Sequence, residues 1–205
     1  MLGLNSFSVM AVVFYAAMSA LAVGLGMWRG HLEHWFASER PLLDLGLGLS
    51  TGLLLVGLTR VSMRHAGMRA LSESFGQMLK ELRLRDAVVC AIASGIGEEA
   101  LFRGVIQPEV GVLWASLIFA VIHTGPERKY LWWTLFALGA GYLFGLLASQ
   151  TGNLIAPMVA HFVVNALNLN QLAHQGRVQA VTADAEAGAA ERTDRADAAD
   201  QGSAP

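Results

Sequence analysis

Two glutamates and an arginine, Glu98, Glu99 and Arg103 of "GEEALFRG", stand between the apolar runs "AVVCAIASGI" and "VLWASLIFAVI". A charged side chain at the centre of a membrane helix costs about 2.5 to 3.5 kcal/mol on insertion scales, so such groups need partners or water. Glu99 and Arg103 are related as i and i+4 with the acid N-terminal to the base, the better order for a helical ion pair. Glu98 points about 100° away from Glu99 around the helix and is the acid left over. Further on, "FAVIH" puts Phe119 and His123 on one helical face, and "HFVVN" does the same for His161 and Asn165. Three helices thus each offer a polar face. Brought together, a carboxylate and an imidazole can hold and deprotonate a water, while a second imidazole and an amide can donate to a developing oxyanion. That inventory suits hydrolysis of an acyl bond. Taken singly, each group has a plainer role: an interior histidine is ordinarily a satisfied packing group, and an asparagine can simply bond across helices. Glu98 is the exception, because a second carboxylate beside a paired one has no packing role.

The elements that must carry these groups are membrane helices. The chain of 205 residues is 54 % hydrophobic and 15 % charged, against about 25 % charged residues in an average soluble domain. Segments 7–28, 42–59, 87–106, 131–150 and 154–170 are apolar over lengths near the roughly 17 to 25 residues that cross a hydrocarbon core. A sixth, 112–123, is short. The expectation is an all-α polytopic bundle of about six transmembrane helices in one domain, 1–170. Basic residues gather in 60–86 and in 124–130, where Arg128 and Lys129 lie. The positive-inside rule makes these segments cytoplasmic, and six spans then put both termini in the cytoplasm, with the protein in the plasma (inner) membrane. No basic stripe interleaved with aromatics is present, so nucleic acid is not an expected partner.

"EEALFR", "FAVIH" and "HFVVN", in that order, resemble the EExxxR, FxxxH and HxxxN motifs of the CAAX-processing and bacteriocin-processing (CPBP) family of intramembrane glutamic proteases. The similarity covers about 87–170. It implies an endopeptidase in which Glu98 with His123 activates the attacking water and His161 with Asn165 stabilises the oxyanion. Glu99 and Arg103 would support the site, and Phe119 completes the second motif. It implies no cofactor and a membrane-associated protein or peptide as substrate: a prenylated C-terminal peptide, a bacteriocin-like leader or a C-terminal membrane tail. Two other classes stay open, a non-catalytic binding or immunity-type protein and a proton or ion pathway through the intramembrane carboxylates. Glu98, His123 and His161 would also form an acceptable zinc ligand set, although no HExxH helix is present.

Within 60–86, Met68, Leu71, Phe75, Met78, Leu79 and Leu82 recur at spacings of three and four, which predicts an amphipathic helix on the inner membrane surface or a solvated linker helix. Residues 1–8 carry no basic n-region, so the first apolar segment is expected to be a retained helix. Cys90, the lone cysteine, lies in an apolar run and is expected to pack in the core. From 171 to 205 the sequence is rich in Ala, Asp, Glu and Gly without a large apolar residue after Val181. Such a segment cannot offset its ordering entropy by burial, and a disordered cytoplasmic tail is expected.

Overall fold

The computed structural model describes residues 4–201, which contain no strand. Seven α-helices follow in order: α1 (Ser6–Arg29), α2 (Pro41–Ser62), α3 (Ala66–Leu79), α4 (Leu84–Leu101), α5 (Gln107–Ile122), α6 (Tyr130–Thr151) and α7 (Ile155–Gln201). A 3₁₀ turn covers Leu32–His34, and a π-turn, Phe102–Ile106, joins α4 to α5 without a break. Four helical runs are long and apolar enough to cross a membrane: Ser6–Arg29, Pro41–Ser62, Leu84–Ile122 and Tyr130–Thr151.

The expected six crossings differ from these four in two places. The run Leu84–Ile122 holds two of the expected segments, and its backbone turns at Gly111, where φ is 80° and ψ 168°, a conformation glycine adopts without steric cost. Contacts across the turn are those of a hairpin: the Phe102 and Phe119 rings lie 5.0 Å apart, and Glu98 meets His123 at 3.8 Å. The other expected segment, 154–170, opens α7. That half of the helix carries His161, Asn165 and Asn168, which lower its apolar character and line an internal cavity.

Asn5 and the part of α7 around Arg177 lie at the end of the bundle where α3 sits. Asn5 donates its backbone N–H to Asp86 Oδ1 at 3.2 Å, close to the start of α4. On α7, Arg177 Nη1 donates to the Leu82 carbonyl at 2.7 Å. This second contact corrects the expected tail boundary. Helix α7 continues through residue 171, and its next two turns dock on α3. Ala173 is fully buried there against Leu79 and Leu82, Ser72 donates to Gln175 at 2.7 Å and Gln77 to Gln179 at 3.0 Å. A Cβ on Gly176 would collide with the Gly76 carbonyl, so these two glycines let the backbones touch where large apolar residues are few. From Val181 to Ala187 every residue is exposed, and 202–205 lie outside the described residues.

Helix α3 is amphipathic as the spacing predicts. Met68, Leu71 and Leu79 are buried, and with Phe75 and Met78 they line a cavity that Glu98 also lines.

Candidate active site

Small residues let three helices meet around the glutamates. A Cβ on Gly95 would lie 3.4 Å from the backbone of Met158 and Phe162 on α7, and one on Gly97 would lie 3.0 Å from the Tyr15 carbonyl on α1. Close approach of this kind replaces the hydrophobic driving force that lipid does not provide between helices. The π-turn begins four residues after Glu98 and carries Arg103. Such turns widen a helix by one residue and are frequent at functional sites.

The two carboxylates divide their partners. Glu99, completely buried, accepts from Arg103 Nη1 at 3.1 Å and faces His161 Nδ1 at 2.7 Å. The rest of the guanidinium is also held: Nη2 donates to the Gly141 carbonyl at 2.8 Å, and its carbon lies 4.7 Å from the centre of the Phe119 ring. Glu98 is 5 % exposed. Its Oε2 makes no hydrogen bond to a protein group and lies 3.8 Å from His123 Nε2 and 3.7 Å from His161 Nε2.

Each imidazole is oriented by its other nitrogen. His123 Nδ1 is 2.7 Å from the Phe119 carbonyl, which only accepts, so Nδ1 carries the proton and Nε2 presents a lone pair to Glu98. His161 Nδ1 donates to the Glu99 carboxylate in the same way, and its ring stacks on Phe144 with centroids 5.3 Å apart. Phe119 packs on His123 at 4.3 Å. Asn165 Nδ2 donates to Ser94 Oγ at 2.8 Å, leaving one N–H free.

All seven residues singled out by motif therefore come together. Glu98, Phe119, His123, His161 and Asn165 line one cavity of about 530 Å³, and Glu99 and Arg103 lie directly behind them. The rest of the lining is mostly apolar, with Phe and Met from α1, Met, Leu and Phe from α3 and Phe from α6, beside polar groups that include Thr59, Ser72 and Asn168. Cys90, expected in the core, is buried and also faces it. Among the described residues no group of three His, Cys, Asp or Glu is arranged to hold a metal ion.

Two cavity groups were not foreseen. Tyr15 on α1 lines the same cavity as Glu98, and Ser94 on α4 bonds Asn165. Tyr15 had a signal, being the one ionisable side chain between Asn5 and Arg29. Ser94 had none, since serine is unremarkable among small residues of a membrane helix.

A family model described as type II CAAX prenyl endopeptidase Rce1-like matches residues 81–167, which include all seven motif residues. The uncharacterized protein YpbD of Bacillus subtilis (strain 168) is 47 % identical over 154 residues, 73 % of this chain and 80 % of that protein. The sporulation-killing factor biosynthesis protein SkfC of the same organism is 26 % identical over 149 residues, which are 64 % of this chain and 29 % of the relative. No solved structure matches. The described residues are all-helical, with four runs long and apolar enough to cross a membrane. The chain belongs to the Rce1-like family.

Proposed function

We propose that the protein is an intramembrane endopeptidase that hydrolyses a peptide bond of a membrane-associated protein or peptide with a water held by Glu98 and His123. The observation that carries this function is the separation of 3.8 Å between Glu98 Oε2 and His123 Nε2. Two acceptors at that distance are too far apart to bond each other, yet one water donating to both along legs of about 2.8 Å fits between them. The oxygen of that water then has its lone pairs free for a carbonyl carbon.

In the proposed reaction Glu98 takes one water proton as the oxygen attacks the scissile carbonyl, whose π pair moves to oxygen. The free Nδ2–H of Asn165 and the Nε2–H of His161, in its imidazolium form, receive the oxyanion. Glu99 stabilises that cation from behind, and Arg103 keeps Glu99 in place. The proton on Glu98 passes to the amide nitrogen, the C–N bond breaks, and an acid and an amine leave. The surrounding apolar walls favour a substrate segment that comes from the bilayer or is lipid-anchored.

The hairpin at Gly111 supports a single depth for the site. Glu98 lies thirteen residues before Gly111 and His123 twelve after it, so each stands roughly 19 Å from the turn at 1.5 Å per residue. Residues of α3 line the cavity, and the basic segment 60–86 favours the cytoplasmic side for that end of the bundle. Both termini then share the cytoplasmic side of the plasma membrane.

The test is to add the purified protein in liposomes to a solubilised membrane-protein fraction and to a dye-quenched farnesylated peptide in H₂¹⁸O, reading new termini by mass spectrometry. New C-termini carrying one ¹⁸O are expected. Absence of new termini in both mixtures would overturn the hydrolytic function and favour a binding role for the same bundle.

A further inference from the structure

Helix α1 starts beside Asp86 at the α3 end of the bundle, so the loop that follows Arg29 lies at the opposite end. A second cavity, of about 570 Å³, is built there from that loop, the turn at Gly111 and the connection between α6 and α7. Its lining runs from exposed residues, among them Gly30, His34 and Gly152, to the buried side chains of Trp35, Gln107 and Arg103. The cavity is therefore open at the loops and floored by the guanidinium that supports Glu99.

Three buried polar atoms of this cavity make no hydrogen bond to a protein group: His31 Nδ1, Trp35 Nε1 and Gln107 Oε1. An indole N–H only donates and an amide oxygen only accepts, so what meets them must do both. The charges nearby decide against an ion. Arg103 is committed to Glu99 and the Gly141 carbonyl, Arg29 is paired with Glu109, and His31 Nε2 lies 3.7 Å from the same carboxylate. What fits is a small neutral molecule with donors and acceptors, and water in a roomy polar cavity is the ordinary case.

A polar seam runs inward from this cavity to the carboxylates. Glu99, Arg103 and Gln107 follow at intervals of four along α4, the π-turn and α5. Helix α6 meets them at the same interval. Arg103 Nη2 donates to the Gly141 carbonyl at 2.8 Å, and Gln107 Nε2 donates to the Gly145 carbonyl at 3.0 Å and to Ser149 Oγ at 3.1 Å. A Cβ on Gly145 would lie 2.7 Å from Gln107 Oε1, so the missing side chain is what leaves room for the amide. Each end of the seam carries a buried acceptor that no protein group meets, Gln107 Oε1 in the cavity and Glu99 Oε2 beside the site. The eight residues between them span roughly 12 Å at 1.5 Å per residue.

We propose that this cavity and its seam are a water inlet of the peptidase, separate from the cavity that takes the substrate. Solvent enters at the loops, is held by His31, Trp35 and Gln107, and reaches the carboxylates past Arg103. The inlet rests on the hydrolytic function proposed above and deepens it. A lipid-borne substrate that fills the apolar cavity excludes solvent from it, so the water consumed in each turnover arrives from the opposite end.

The test places a thiol in the inlet of the full chain, in a Cys90→Ala background so that no other thiol is present. Ala148 lines the inlet and is 8 % exposed; Trp114, 62 % exposed on α5, is the lipid-facing control. The thiolate is the form that attacks a charged methanethiosulfonate, and apolar surroundings suppress it. In liposomes Ala148→Cys should react at least about tenfold faster than Trp114→Cys, as a thiol in water does against one in lipid. On the dye-quenched farnesylated peptide, the labelled protein should then lose at least about tenfold in kcat with KM and melting temperature unchanged. Val112→Cys, on the facing wall of the inlet, repeats the measurement should Ala148→Cys not fold. Inlet thiols that react no faster than the control would overturn the hydrated cavity. Complete labelling with an unchanged kcat would overturn the supply of water through it. Fast labelling of a protein that cleaves neither the probe nor a membrane fraction would sustain the hydrated cavity and fault the hydrolytic function instead.

Discussion

Arg103→Ala tests how the site is supported. The guanidinium is 4 % exposed and donates to Glu99 at 3.1 Å and to the Gly141 carbonyl at 2.8 Å. Its removal leaves a completely buried carboxylate with His161 as its remaining partner. Breaking a buried pair from one side typically costs about 3 to 5 kcal/mol. An unpartnered Gly141 carbonyl costs about 1 to 3 kcal/mol, and the lost contact with Phe119 about 1 to 2 kcal/mol. These losses share one guanidinium and do not add, so a net of about 3 to 5 kcal/mol is the working figure. For a chain of this size each kcal/mol moves the melting temperature by about 2 to 4 °C, which gives a fall of roughly 6 to 20 °C. Thermal unfolding in detergent, followed by tryptophan emission, reads it directly. Arg103→Lys, which keeps the charge without the planar fork, should fall between. Arg103→Met combined with Glu99→Gln should lose less than Arg103→Ala, because no buried charge is left unpaired. A melting temperature for Arg103→Ala within about 2 °C of wild type, the range of an ordinary surface substitution, would refute the supporting role of the pair.

Two further outcomes separate neighbouring claims. A chain ending after Val181 should melt as the full chain does, whereas one ending after Asn170 should melt lower because it loses Ala173, Gln175 and Arg177 from the contact with α3; equal melting of the two would show that this contact contributes nothing. Peptide cleavage should be unaffected by a zinc chelator, and loss of activity restored by added zinc would instead make Glu98, His123 and His161 a ligand set.

The site was legible in sequence because polar groups in lipid are costly and few, so those present stand out against their surroundings. Glu98, His123, His161 and Asn165 announce themselves in this way, and the i, i+4 rule separates Glu99 as the partner of Arg103. What the sequence could not convey is long-range pairing. The bond from His161 to Glu99 spans 62 residues, and Tyr15 lines the cavity from a helix that carries no motif. The reversal between the expected segments 87–106 and 112–123 was legible; what the sequence did not show is that the backbone stays helical through Val110 and turns at Gly111. That turn brings Glu98 and His123, which a simple alternation of spans puts at different depths, to one level. The tail boundary was misplaced for a compositional reason: 171–179 has few large apolar residues, and it docks through Gly176 and polar side chains that hydropathy does not register.

The central claim is that Glu98 accepts the proton of the attacking water, and the most direct test is the initial rate of Glu98→Gln against wild type at equal amounts of folded protein. The amide keeps the shape of the carboxylate and cannot act as the base. A fall of about 10² to 10⁴, the usual contribution of a general base, with the melting temperature retained, is the expected result. A variant that cleaves the same substrate at the wild-type rate would contradict the claim and take Glu98 out of the chemistry.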